Sequence, residues 1–163
     1  MAKKAKHKGS NGLRPLWNKK QVKMFFEKAA ERAEFIIENL LARTGEEFVK
    51  VARLEGNYID HTGNLRSSIG YVVLKDGKPI SMDFQISDKA GTDKHTGKRE
   101  GEQFALSLAN LFPKGYVLIC VAGMKYAAFV EAMENKDVVS LAADKAQDFI
   151  KEQSRSLFNQ LAA

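Results

Sequence analysis

Three histidines, one cysteine and scattered carboxylates are the residues of this chain that could do chemistry, and their spacing supports little of it. Cys120 with His61 and an acid is the one nucleophilic set to consider. Such a set needs a base within hydrogen-bond reach of the thiol and an acid that orients the base. Cys120 falls inside an apolar run, YVLICVA from Tyr116 to Ala122, where cysteine behaves as a small hydrophobe and its thiol resists ionisation. His7 lies in a basic N-terminal stretch and His95 in a polar one, so no two histidines sit at ligand spacing on one element. Phosphate-binding G-x-x-x-x-G-K-[ST], dinucleotide-binding G-x-G-x-x-G, H-E-x-x-H and C-x-x-C are all missing from the sequence. Asp60-His61 reads as a solvated turn pair. The expectation is no catalysis, no metal and no cofactor.

The other polar cluster is YIDHTGNLRSSIGY, from Tyr58 to Tyr71. Asp60 and Thr62-Gly63-Asn64 read as a turn, with Gly63 free to take φ > 0. A strand is expected from about Leu65, carrying Arg66, Ser67 and Ser68. Two readings of that polar face stand side by side. It either meets the next subunit, with Arg66 gripping a carboxylate bidentately, or it faces water at the start of a strand. If Tyr126 opens an extended segment, Glu131 becomes the acid that meets Arg66 of a neighbouring copy.

These groups need a scaffold, and 163 residues suggest one domain with a real core and no need of disulfides. A single cysteine excludes an intrachain disulfide and fits a reducing interior. No apolar run approaches the ~18 residues of a membrane span, and no apolar stretch follows the N-terminal lysines as a secretory signal requires. The net charge of +6 is uneven. Lys3, Lys4, Lys6, Lys8, Arg14, Lys19 and Lys20 face no acid within the first 20 residues, and the remainder holds 19 basic against 20 acidic residues. Residues 1–17 therefore read as a flexible basic arm, and 18–163 as one α+β domain. Such arms touch nucleic acid or an acidic partner, or only aid solubility.

Asn18 is placed to cap a helix whose apolar positions run Val22, Phe25, Phe26, Ala29, Ala33, Ile36, Ile37, Leu40 and Leu41, then Phe48, Val51 and Ala52. One long helix to about Leu54, passing through Gly45, is favoured over a new start at Thr44. Its stripe is expected in the core. Phe25, Phe26, Phe35 and Trp17 are more aromatic than one stripe needs, and Phe35 falls off it, which makes Phe35 the best single candidate for an intersubunit contact. Ile69 to Lys75 and Lys78 to Ile86 read as a hairpin turning at Asp76-Gly77, with Pro79 marking an edge or an irregular start. Ser87 to Gly101 reads as a flexible loop with Lys89, Lys94, Lys98 and Arg99, followed by a short helix from Glu102 to Phe112. Tyr116 to Ala122 reads as a central buried strand, Tyr126 to Met133 as either strand or helix, and Asp137 as the cap of a final helix. The predicted fold is a small, mostly antiparallel sheet packed with two long helices and a short one.

Two segments together carry a resemblance. Thr62, Gly63, Leu65, Arg66, Ser68 and Ile69 fit T-G-x-L-R/K-x-S-I/L, and Gly123, Tyr126, Ala127, Val130 and Glu131 fit G-x-x-Y-A-x-x-V-E. In that order and spacing, over roughly residues 20–160, the chain resembles the siphophage head–tail joining, neck and tail-completion family, lambdoid tail components of the gene-product-ten-like kind. His61 stands where that family commonly has a basic residue, and KHTGKREG resembles an insertion. The resemblance implies a structural virion protein acting by docking and self-association into a ring, six-fold on assembly. Its implied partners are the connector, portal-proximal or tail-tube proteins. It would be made in the bacterial host cytoplasm and reside in the virion. The family motif residues Thr62, Gly63, Leu65, Arg66, Ser68, Gly123, Tyr126 and Glu131 are then expected at subunit interfaces. Lys3, Lys4, Lys6, Lys8, Arg14, Lys94, Lys98 and Arg99 would contact DNA or a partner without reading sequence. The alternative is a non-sequence-specific nucleic-acid-binding protein that uses the arm.

Overall fold

The computed structural model describes residues 18–133 and 137–162, so the basic arm and Trp17 lie outside the described residues. The chain divides into two units, one ending at Glu34 and one running from Phe35. From Lys19 to Glu34 no residue is buried, so this stretch adds nothing to a core.

Helix α1 (Lys19–Leu54) begins in the first unit. Asn18 and Gln21 cap it reciprocally: Gln21 N–H donates to Asn18 Oδ1 at 2.8 Å, and Asn18 N–H donates to Gln21 Oε1 at 3.0 Å. Each end of the pair satisfies a donor that the helix cannot. The expected core role of the stripe fails here, because Phe25 and Phe26 are 69% and 65% exposed. Spacing predicts an apolar face but not what covers it.

The second unit is built on a sheet of order β2-β1-β3, antiparallel throughout. Strands β1 (Ile69–Lys75) and β2 (Lys78–Phe84) form the expected hairpin. Asp76 and Gly77 both take positive φ, at 50° and 75°, which matches the twist of the strands they join. Pro79 lies on the edge strand, where the register shifts between Val73 and Leu74. Strand β3 (Tyr116–Ala122) pairs with β1 from Ile69 opposite Ala122 to Lys75 opposite Tyr116.

The expected centre of the sheet is corrected: β3 is an edge, and β1 is the central strand. An unbroken apolar run means only that both faces are covered, which edge strands also allow. The faces divide by the strand period of two. Val72, Leu74, Phe84, Ile119 and Val121 form one cluster with Ala105 and Ala109 of helix α3 (His95–Ala109). Ile69 joins the other, with Phe48, Val51 and Ala52 of α1, Leu65 of the short helix α2 (Asn64–Ser67), Ala127 of α4 (Ala127–Glu131), and Ala142 and Ala146 of α5 (Ser140–Ala162). The architecture is the expected α+β: a three-stranded sheet with α3 on one face and α1 and α5 on the other.

Candidate functional site

The polar motif does not start a strand. Asn64–Ser67 is a single helical turn, and the strand begins at Ile69. Local hydrogen bonds decide this. Asp60 Oδ1 accepts from Gly63 N–H at 2.9 Å and Oδ2 from Arg66 N–H at 2.8 Å, so one carboxylate satisfies the donors at the start of the turn. Gly63 holds φ 80°, the left-handed region. Leu65, Arg66, Ser67 and Ser68 are all buried.

Arg66 is neither on an exposed face nor free for a neighbour. Its guanidinium donates to Arg53 O, to Gly56 O at 3.2 Å and to Tyr58 O at 3.1 Å. It also lies over the Tyr58 ring, 4.3 Å from the centroid. These carbonyls belong to the last turn of α1 and the segment after it, which a helix end leaves without partners. Arg66 thus closes the C-terminus of α1, where a cation also meets the negative end of the helix dipole. Burial pushes the Tyr58 hydroxyl up to about 12 despite the lowering effect of Arg66. Arg53 makes a similar bond, donating to Ile69 O at 3.3 Å and to Gln85 O.

The same turn reaches three other segments. Ser67 Oγ donates to Gly63 O at 2.6 Å and accepts from Ser87 N–H at 3.0 Å. Ser68 O accepts from Gly123 N–H at 3.1 Å, where the two motifs meet. A side chain on Gly123 would fall 2.4 Å from Gly101 Cα, so glycine lets the end of β3 pack closely against α3. Asn64 Oδ1 accepts from Gly97 N–H at 2.7 Å, and Asp93 Oδ1 from Thr96 N–H at 3.3 Å. Bonds from the Thr96 side chain, the Thr96 backbone and Asn64 hold the Asp93 carboxyl below its usual range.

Those caps explain a second correction. The expected loop to Gly101 is helical from His95, because long-range caps override a glycine- and lysine-rich stretch. Lys98 and Arg99 are therefore helical, and Lys98 pairs with Glu102 at 3.7 Å. Lys94 precedes the helix, and its stem crowds the face of Gly63.

Glu131 corrects the proposed pairing with Arg66 of another copy. Tyr126 precedes a helix, not a strand, and Glu131 turns back along its own chain. Its carboxylate accepts from Val138 N–H at 2.6 Å, Val139 N–H at 2.9 Å and Ser140 N–H at 3.0 Å, and from Ser140 Oγ. Glu131 is thus the N-terminal cap of α5, supplied from outside the helix. Burial alone would raise its pKa, but the donors from Ser140, Val139 and Val138 outweigh that and lower it. The Tyr126 hydroxyl is raised by burial, with a bond from the Thr62 side chain opposing.

Of the family-motif residues, Tyr126 alone is exposed, at 39%; Thr62, Gly123, Val130 and Glu131 are half-buried, and the rest are buried. Phe35 is 68% exposed. The sequence shows Asp60 and Thr62-Gly63-Asn64 as a turn, but it carries no sign of the long-range bonds of Asn64, Arg53 and Tyr58, and it assigns Asp60 to solvent.

Cys120 lines a groove of about 550 Å³ beside β3, bounded by Phe104, Leu108, Ala128 and Val139. Burial pushes its thiol up to about 12, which keeps it protonated and poorly nucleophilic near neutral pH. Among the described residues no group of His, Cys, Asp and Glu is arranged to hold a metal, and no helix is long and apolar enough to cross a membrane. Compared with known proteins, the chain matches no family model, no curated protein and no solved structure.

Proposed function

We propose that the chain is a structural virion protein of a tailed phage or prophage, of the head–tail joining, neck or tail-completion kind. It acts by self-association into a ring and by docking, without turnover. The observation that carries this reading is where the apolar side chains lie. Phe25, Phe26, Phe35, Ile59, Leu111 and Phe129 are each between 65% and 73% exposed. Apolar surface on that scale is expected of a chain that buries it against other subunits. The resemblance of the two motifs supplies the assignment to a phage neck. In this reading the motifs are the internal joint that holds α1, α3, β3 and α5 in fixed relation. Contacts to the connector, portal-proximal and tail-tube proteins come from Phe35, Tyr126 and other exposed positions. The basic arm, with Lys3, Lys4, Lys6, Lys8 and Arg14, would meet DNA phosphates inside the ring.

Deleting the gene from the phage that encodes the chain and imaging the lysate tests this. The reading expects DNA-filled heads and tails that fail to join, or tails left incomplete, with joining restored by the full chain. Normal virions from the deletion would overturn it. The nucleic-acid reading instead predicts salt-sensitive DNA binding that is lost on removing residues 1–20, with the defect upstream of head–tail joining.

A further inference from the structure

We propose that the exposed face of α1 between Lys19 and Glu34 docks a second copy of this chain, with the two helices antiparallel. Val22, Phe26, Ala29 and Ala33 follow steps of four, three and four, the spacing of a coiled-coil seam. Phe26 is 65% exposed, Phe25 69% and Met24 46%. The two phenylalanine rings meet edge-on, with centroids 5.7 Å apart. A helix with an apolar stripe draws most of its stability from covering that stripe.

Charge and size select the occupant and its direction. Lys19, Lys20 and Lys23 stand at the start of the helix with no acid among them, whereas Glu27, Glu31 and Glu34 outnumber Lys28 and Arg32 further along. A parallel, in-register pair would set three lysines against three lysines. An antiparallel pair moves the two lysine clusters to opposite ends of the contact and opposes the helix dipoles. The antiparallel register that places Val22 beside the partner's Ala33 also places Phe26 beside the partner's Ala29. Each larger side chain then meets a small one, the arrangement that fills a helix interface without voids.

This contact is isologous and closes at two copies, so it goes beyond the ring, which needs a heterologous surface. It shields the aromatic face of the chain before assembly.

Light scattering on the full chain over a concentration series tests it. The expected mass is twice 18.2 kDa. Phe26→Asp combined with Ala29→Asp, both at exposed positions, should leave the near-ultraviolet circular dichroism of the sheet-bearing unit unchanged. It should weaken self-association by more than about 100-fold. Direction is read by oxidising Val22→Cys and Ala33→Cys chains separately and mixed, with the unsubstituted chain as the control for Cys120. Antiparallel docking links the mixture, whereas parallel docking links each variant to itself, since a disulfide spans only ~4–7 Å between Cα atoms. A wild-type monomer at every concentration, a dimer indifferent to the double substitution, or self-linked variants would each overturn the proposal. So would a monomer that binds phosphatidylserine vesicles through this face, the alternative occupant for a basic, aromatic helix. Failure of the ring reading would appear in virion morphology and leave the two-copy mass intact.

Discussion

Replacing Arg66 with alanine is expected to cost about 3–5 kcal/mol of folding stability, the range for removing one partner from a buried charged arrangement. The guanidinium donates to three backbone carbonyls, those of Arg53, Gly56 and Tyr58. A hydrogen bond to a charged group contributes about 1.5–3 kcal/mol, and the desolvated stacking on Tyr58 adds about 1–2 kcal/mol. The full sum is not lost, because removing the long side chain admits water to some of the abandoned carbonyls. Arg66→Lys keeps the charge but not the planar fork, and should fall between the two, at about 1–2 kcal/mol. Urea unfolding followed by far-ultraviolet circular dichroism measures both. With a slope of about 1.5 kcal/mol/M, the alanine midpoint should drop by about 2–3 M. An alanine variant within about 0.5 kcal/mol of wild type, but altered in self-association, would refute the reasoning and return Arg66 to the role of a subunit contact.

Glu131→Gln should destabilise the chain by about 1 kcal/mol near neutral pH, a typical cap loss. The folded carboxyl titrates below its unfolded value, so its contribution is present above the unfolded pKa and disappears as pH falls through the folded one. Urea midpoints of wild type and variant should therefore converge as pH falls below the unfolded glutamate value of about 4.3, and a gap that persists in strong acid would contradict the cap. Cys120 should react with a disulfide reagent at about pH 8 far more slowly in the folded chain than in urea, since its thiol is pushed up to about 12; equal rates would place it in open solvent. Gly97→Ala should lower the melting temperature although alanine favours helix, because its Cβ would fall 2.1 Å from Asn64 O, a backbone atom that cannot swing away. An unchanged or raised melting temperature would mean that the α2–α3 contact is loose.

Much of the fold was legible because its signals are local. Asp76-Gly77 specifies its own turn, and Asn18 and Gln21 lie within one turn of each other. Gly45 in the long helix was legible as an interruption but not as a contact. A Cβ there would lie 2.3 Å from the Tyr71 ring, so glycine is the space in which that ring packs. The misreadings share a cause, which is that polar residues found partners far along the chain. Asn64 caps a helix that starts 31 residues on at His95, turning an expected loop into helix. Arg66 and Glu131 carry charges that suggest a surface, yet both bond the ends of helices to which they do not belong. The stripe from Val22 to Ala33 errs in the opposite sense: its spacing is that of a buried face, yet none of its residues is buried.

The central claim is that this chain is a component of the head–tail junction. Labelling purified virions with a gold-conjugated antibody against the chain, and imaging them by electron microscopy, tests it most directly. The account predicts label confined to the junction between head and tail or to the adjoining end of the tail. Virions without label, from a lysate in which the chain is abundant and sediments with free DNA, would contradict it.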